Sequence, residues 1–217
     1  MSDTPEALME DLRDLLEIAR TADFTDVDLA ATRAAVQSAS ADLRPHVVDG
    51  VRMQAVLDFS SLISDMPDPE GRLDRLREKG PSWFFAYSPY GGALNPISPP
   101  IEVDLHDVDG GIEVRGHCVF RDHFNGPPDS VHGGVVAAVI DDILGTACVV
   151  NDVGGFTGTL TVRYRKPTPL QKRIELRAWV SHTEGRKTFA EATFHLDGEL
   201  LAEAEGIFIA SSMDAGL

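Results

Sequence analysis

A chain of 217 residues, 43% apolar and 25% charged, has enough material for one full domain with a large core plus an extension. Its net charge of −16 speaks against nucleic acid as a partner, because phosphate binding needs clustered Lys and Arg. The opening MSDTPEALMEDLRDLLEIAR is acidic, unlike a secretory signal or an organellar transit peptide, and no run of eighteen apolar residues follows, so a cytoplasmic protein without a membrane span is expected.

In chain order, Leu8, Leu12, Leu15, Leu16 and Ala19 recur at helical spacing, which predicts a helix over 5–20 capped by Thr4 with Pro5 at its first position. A second helix is predicted over 26–43, through Leu29, Ala30, Val36 and Ala39, with Asp26 as its cap. Both apolar stripes are thin, so these helices are expected to pack on something else rather than form their own core. Residues 1–80 are read as an N-terminal helical extension and 81–217 as the main domain. Segments 64–72 and 88–100 are rich in Pro and Gly and read as connections.

From residue 101 the period changes to that of strands. IEVDLHD and GIEVRGHCVF alternate apolar and polar positions, and Asp109, Gly110 and Gly111 turn them into a hairpin. After the loop FNGPPDS comes VHGGVVAAVIDDILGTACVV, apolar nearly all round and therefore a buried helix. Four strands are predicted at 156–165, 171–182, 186–196 and 199–210, joined by KPTP, TEG and DG turns. Consecutive strands of this kind form an antiparallel meander. The fold class is α+β, an antiparallel sheet wrapped around a long central helix.

His132-Gly133-Gly134 stands where the loop enters the buried helix. Paired glycines let a ligand approach the backbone, and the first helical N–H groups are unpaired with the dipole behind them, which suits a polarised carbonyl. A plain loop-to-helix turn has the same appearance. Asp141 and Asp142 sit mid-helix, where a carboxylate is costly unless paired, solvated or protonated. Neighbouring helical positions point about 100° apart, so one is expected to face a reaction and the other solvent or a basic partner. Spacing does not choose between them. Eight of the ten basic residues after position 80 fall within 157–187, opposed there only by Glu175 and Glu184. This basic island suggests an anionic ligand; a strand pair with solvated outer faces is the alternative. Cys118 and Cys148 lack metal-ligand spacing and read as reduced core thiols, with a disulfide between them as the alternative.

Taken together, F-N-G-P-P-x-x-V-H-G-G, Asp141-x-x-x-Gly145, T-x-x-L-x-x-x-Y-R-K-P and E-G-R-K resemble the hotdog-fold acyl-CoA thioesterases, in the PaaI-like branch that includes thioesterase superfamily member 4. The resemblance covers about residues 101–210. It implies a hotdog thioesterase domain over 81–217 that hydrolyses fatty or aromatic acyl-CoA. Asp141 would be the general base or nucleophile. Thr157 would position the water, with Thr159 as a lesser alternative. His132 and Gly133 would polarise the carbonyl, with Gly134 beside them. Coenzyme A would lie against Arg163, Arg165, Arg186 and Lys187, four members of the basic island. Asn125 matches a variable loop position, where it would either touch carbonyl or water or cap the loop. No metal and no cofactor beyond the substrate's own coenzyme A is implied.

Two other readings stay open: a hotdog enoyl-thioester hydratase or dehydratase, and a non-catalytic acyl-CoA-binding protein. The resemblance also implies a homodimer or dimer of dimers, with sheets paired edge to edge and the active site shared. Strand 112–121 looks too apolar and Gly-rich to stand uncovered in water.

Overall fold

The computed structural model describes residues 3–50, 52–56 and 71–210. The expected connection over 64–72 lies largely outside them. The helices are α1 (Pro5–Thr21), α2 (Ala30–Leu43), α3 (Arg72–Lys79), α4 (Pro81–Phe84) and α5 (Gly133–Val150). The strands are β1 (Glu102–Val108), β2 (Gly111–Val119), β3 (Phe156–Tyr164), β4 (Arg173–Glu184), β5 (Lys187–Leu196) and β6 (Glu199–Ile209).

Strand β4 shows why the sheet has one buried face. Ile174, Leu176 and Ala178 point inward and are buried, while Arg173, Glu175 and Arg177 between them are exposed. This is the period of two that a half-buried strand requires. Ala178 pairs with Ala192, and Ala192 with Ala204, so three strands present a row of methyl groups. That shallow channel lets α5 lie close to the sheet. Val136, Val139, Ile140, Leu144 and Ala147 of α5 are buried against it, with Phe194 and Phe208 filling the flanks. By length and composition α5 passes as a membrane span, but here it is the helix at the centre of the core.

All predicted strands form, with limits within about two residues, and the 102–119 hairpin is present. The order of strands differs from a four-strand meander. The sheet runs β1-β2-β4-β5-β6-β3, so β3 pairs with β6 at the edge and only β4, β5 and β6 form the meander. The KPTP stretch that reads as a tight turn is a crossing. Along it, Arg165 and Lys166 donate to the Leu201 carbonyl, Thr168 accepts from the Val131 N–H, and Gln171 donates to Phe120. These partners are distant in sequence, so turn chemistry alone does not reveal the crossing. Strand β2 is interior, between β1 and β4, and the open edges are β1 and β3. On β3, Phe156 and Tyr164 are exposed.

Helix α1 is capped by Thr4, which accepts from Ala7 N, with Pro5 at its start, as predicted. It does not dock through its leucine stripe, however: Leu8, Leu15, Leu16 and Ala19 are exposed and Arg13 is its buried residue. The surface it meets is polar. Glu10 and Asp14 bind Arg121, and Glu17 accepts from the Asp122 N–H. Helix α2 begins four residues later than predicted and buries nothing; Asp28, not Asp26, accepts from the Ala30 N–H at its start. On the extension side of residue 81, Leu76 of α3 is fully buried in the main core and Arg77 donates to the Val150 carbonyl at the end of α5.

Candidate active site

Strand β3 carries a bulge between Thr157 and Thr159 where it pairs with β6. Bulges re-aim side chains, and here Thr157 Oγ1 donates to Asp141 Oδ1 at 2.9 Å. Thr159 instead borders a groove with Thr161, Ser181 and Glu205, away from Asp141. Asp141 and Thr157 line a cavity of about 480 Å³ whose other walls include Phe85, Ile143, Val149, Phe156 and Phe208. That volume is in the range of small-molecule sites, and the lining is apolar with few polar groups, as such sites are. An oriented carboxylate at the edge of an apolar chamber can take a proton from water or attack a carbonyl beside a bound acyl chain.

Asp142 also lines the cavity, but in a different role from the solvent-facing or cation-paired one expected. Ser88 Oγ donates to Asp142 Oδ2, and the Tyr90 N–H reaches the same oxygen at 3.2 Å. Its carboxyl is pushed up to about 6, by burial foremost and by the charge of Asp141 as well, against the two hydrogen bonds, which lower it. Neither Ser88 nor Tyr90 is detectable from a motif: they lie in a Pro/Gly-rich stretch that reads as a connection.

At the start of α5, His132 is the N-cap, and its Nδ1 accepts from the Gly134 N–H at 3.0 Å. Acceptance at Nδ1 places the neutral ring's proton on Nε2. The Gly134 amide is therefore already engaged, and the Gly133 N–H is the first of the helix's unpaired donors. The Gly133 carbonyl accepts from Tyr164 OH at 2.7 Å, tying the helix start to the end of β3. Asn125 donates to the Pro127 carbonyl at 2.9 Å, which braces the loop. Burial pushes the Cys148 thiol up to about 12, leaving it protonated and unsuited to nucleophilic attack, and Cys118 is buried and free as well.

One chain does not bring all these groups together. Gly133 and Asp141 are eight helical residues apart, about 12 Å along the axis, too far to polarise and attack one carbonyl. The four cations divide in the same way. Arg163 and Arg165 sit towards the Tyr164 end of β3, whereas Lys187 is level with Ile209, which faces Phe156 at the other end. The basic island is also less bare than a sequence window implies. Arg163 pairs with Glu205 at 2.7 Å, Arg165 with Glu203, and Lys166 with Glu199, all acids that β6 places alongside β3. Arg177 pairs with Glu113 of β2. Among the described residues no cluster of His, Cys, Asp or Glu could hold a metal ion.

The architecture is the hotdog thioesterase fold. A crystal structure described as a thioesterase superfamily protein aligns with 96% of this chain and 96% of its own length, at a TM-score of 0.76 and 23% identity. That coverage takes in the N-terminal helices as well as the sheet. Residues 129–203 match the thioesterase superfamily family model. Among curated proteins the similarity runs to acyl-coenzyme A thioesterases named THEM4. Over 102 residues the chain is 36% identical to the acyl-coenzyme A thioesterase THEM4 of Mus musculus, covering 45% of this chain and 44% of that protein. Over 101 residues it is 37% identical to the Xenopus laevis THEM4, covering 45% and 46%. The match spans less than half the length of these curated relatives.

Proposed function

We propose that this protein is an acyl-CoA thioesterase that hydrolyses fatty or aromatic acyl-CoA to the free acid and coenzyme A, as part of fatty acid metabolism. The observation that carries the reading is the Asp141–Thr157 hydrogen bond at the edge of an apolar cavity. Asp141 accepts a proton from a water held by Thr157, or attacks the thioester itself. The carbonyl oxygen takes its charge against a Gly133 N–H at a helix start, a fixed donor that strengthens as the oxyanion develops. With a water as nucleophile, the sulfur of coenzyme A leaves with the proton that Asp141 took; with Asp141 as nucleophile, coenzyme A leaves first and water then hydrolyses the acyl anhydride, releasing the acid and restoring the carboxylate. The names of the THEM4 relatives support this class.

The 12 Å helical separation calls for a second chain. Strand β3 is an open edge with exposed Phe156 and Tyr164. Antiparallel pairing of two β3 edges about a two-fold axis sets the Tyr164 end of one strand beside the Thr157 end of the other. Gly133, Arg163 and Arg165 of one protomer would then approach Asp141, Arg186 and Lys187 of its partner. A homodimer, or a dimer of such dimers, thus completes both the catalytic and the nucleotide-binding sets. Two free buried thiols fit a reducing, cytoplasmic setting.

Thiol release from saturated acyl-CoA substrates, followed with a thiol reagent, tests the reading. The wild type releases thiol, and Asp141→Asn loses at least about 10²-fold in kcat, the low end of what a general base contributes. A hydratase or a binding protein releases none.

A further inference from the structure

The cavity beside Asp141 is not built by the sheet and α5 alone. One side comes from residues that precede the sheet: Met53, Gln54, Pro81, Ser82, Phe85 and Ser88. Backbone hydrogen bonds make these residues one piece, with Val56 donating to the Phe84 carbonyl, Tyr87 to Gln54 and Leu94 to Ala86. Two anchors hold the piece in place. On the inside, Asp142 takes the Ser88 hydroxyl and the Tyr90 N–H. On the outside, Arg13 of α1, only 3% exposed, donates to the carbonyls of Ala93, Asn95 and Ser98 at 2.6, 3.0 and 3.2 Å. A guanidinium fork on three carbonyls is a rigid cap. It explains why α1 docks by a buried arginine rather than by its leucines.

We infer that the segment 81–101, with Met53 and Gln54 against it, is the wall that selects the acyl group, and that Arg13 and Asp142 are positioning residues that hold this wall at a fixed distance from Asp141. The inference rests on the thioesterase reading of the same site. It makes the N-terminal region part of the specificity machinery. A wall fixed at both faces discriminates by length and bulk, because each methylene that fits or clashes in a rigid apolar pocket changes selectivity about 10–200-fold.

The test uses the full-length protein with octanoyl-CoA and dodecanoyl-CoA, and calorimetric binding of free octanoate and dodecanoate as a readout independent of turnover. Phe85→Ala widens the wall and raises the dodecanoyl-to-octanoyl ratio of kcat/KM about tenfold, with the ratio of fatty-acid affinities moving the same way. Met53→Ala, at a half-exposed position where folding is not at risk, moves both ratios in the same direction. Arg13→Gln raises KM for dodecanoyl-CoA at least about fivefold with kcat changed less than about twofold, the signature of lost uniform binding. A merely structural role for Arg13 lowers Tm and leaves the chain-length ratio alone. The inference is overturned if the wild type is active and the Phe85 and Met53 variants keep its ratios, within twofold, in both readouts. If the wild type releases no thiol from any acyl-CoA while the fatty-acid affinity ratio still shifts, the thioesterase reading falls and the selecting wall stands. No shift in either readout rejects the wall.

Discussion

Replacing Asp142 by Asn isolates the cost of a carboxylate held inside the site. In the folded protein burial raises this carboxyl to about 6, from the 3.8 of an unperturbed Asp. Between those two values the folded state keeps a proton that the unfolded chain has already released. The contribution of this carboxyl to stability is therefore greatest below pH 3.8, falls as pH rises to 6, and stays lower above it. Each pH unit in the window is worth about 1.4 kcal/mol, which bounds the total at about 3 kcal/mol, and partial solvent contact reduces it to about 1–2 kcal/mol. An Asn oxygen still accepts from Ser88 and from the Tyr90 N–H but never ionises. Asp142→Asn is thus expected to be more stable than wild type by about 1–2 kcal/mol at pH 8 and nearly equal to it at pH 4. Urea unfolding midpoints at the two pH values, at fixed ionic strength, give the difference directly. A difference that does not change with pH, or a variant less stable at pH 8 than at pH 4 relative to wild type, refutes the reasoning.

A β-carbon at Gly145 meets nothing nearer than Phe208 Cε1 at 3.9 Å. Gly145→Ala therefore gains the helix-interior preference of about 0.5–1 kcal/mol, raising Tm by about 1–4 °C, while the methyl narrows the cavity and lowers kcat/KM for dodecanoyl-CoA; calorimetry and chain-length kinetics read the two effects separately. Arg186→Gln and Lys187→Gln are expected to raise KM for acyl-CoA more than Arg163→Gln and Arg165→Gln do, because Glu205 and Glu203 already share the latter charges. All four effects shrink as salt is added, and initial-rate kinetics at two ionic strengths check both statements. Light scattering with activity assayed across dilution tests the shared site: activity falls as the dimer dissociates, and a fully active monomer rejects it.

The periods in the sequence determine the elements. Alternation in β4 and β5 and the all-apolar run of α5 mark what is strand and what is core helix, because burial of one face forces those patterns whatever the topology. The motif residues also mark out a contact across the fold: the aspartate nine positions after His132 and the threonine before Gly158 do meet. Charge counting, by contrast, sees only neighbours in sequence. It finds the basic island yet misses Glu199, Glu203 and Glu205, which the β3–β6 pairing sets against it. Turn residues likewise make KPTP a hairpin, whereas hydrogen bonds to Leu201, Val131 and Phe120 make it the crossing that sends β3 to the sheet edge. The leucine stripe of α1 predicts an apolar seat, but the surface the fold offers is a ring of carbonyls, and one buried arginine outweighs three solvated leucines in deciding which face docks. Asp142 shows the same division. Its cost is legible in the sequence as a carboxylate in an apolar helix, but its partners stand more than fifty residues away in a stretch without regular period, so only tertiary structure places Ser88 and Tyr90 against it.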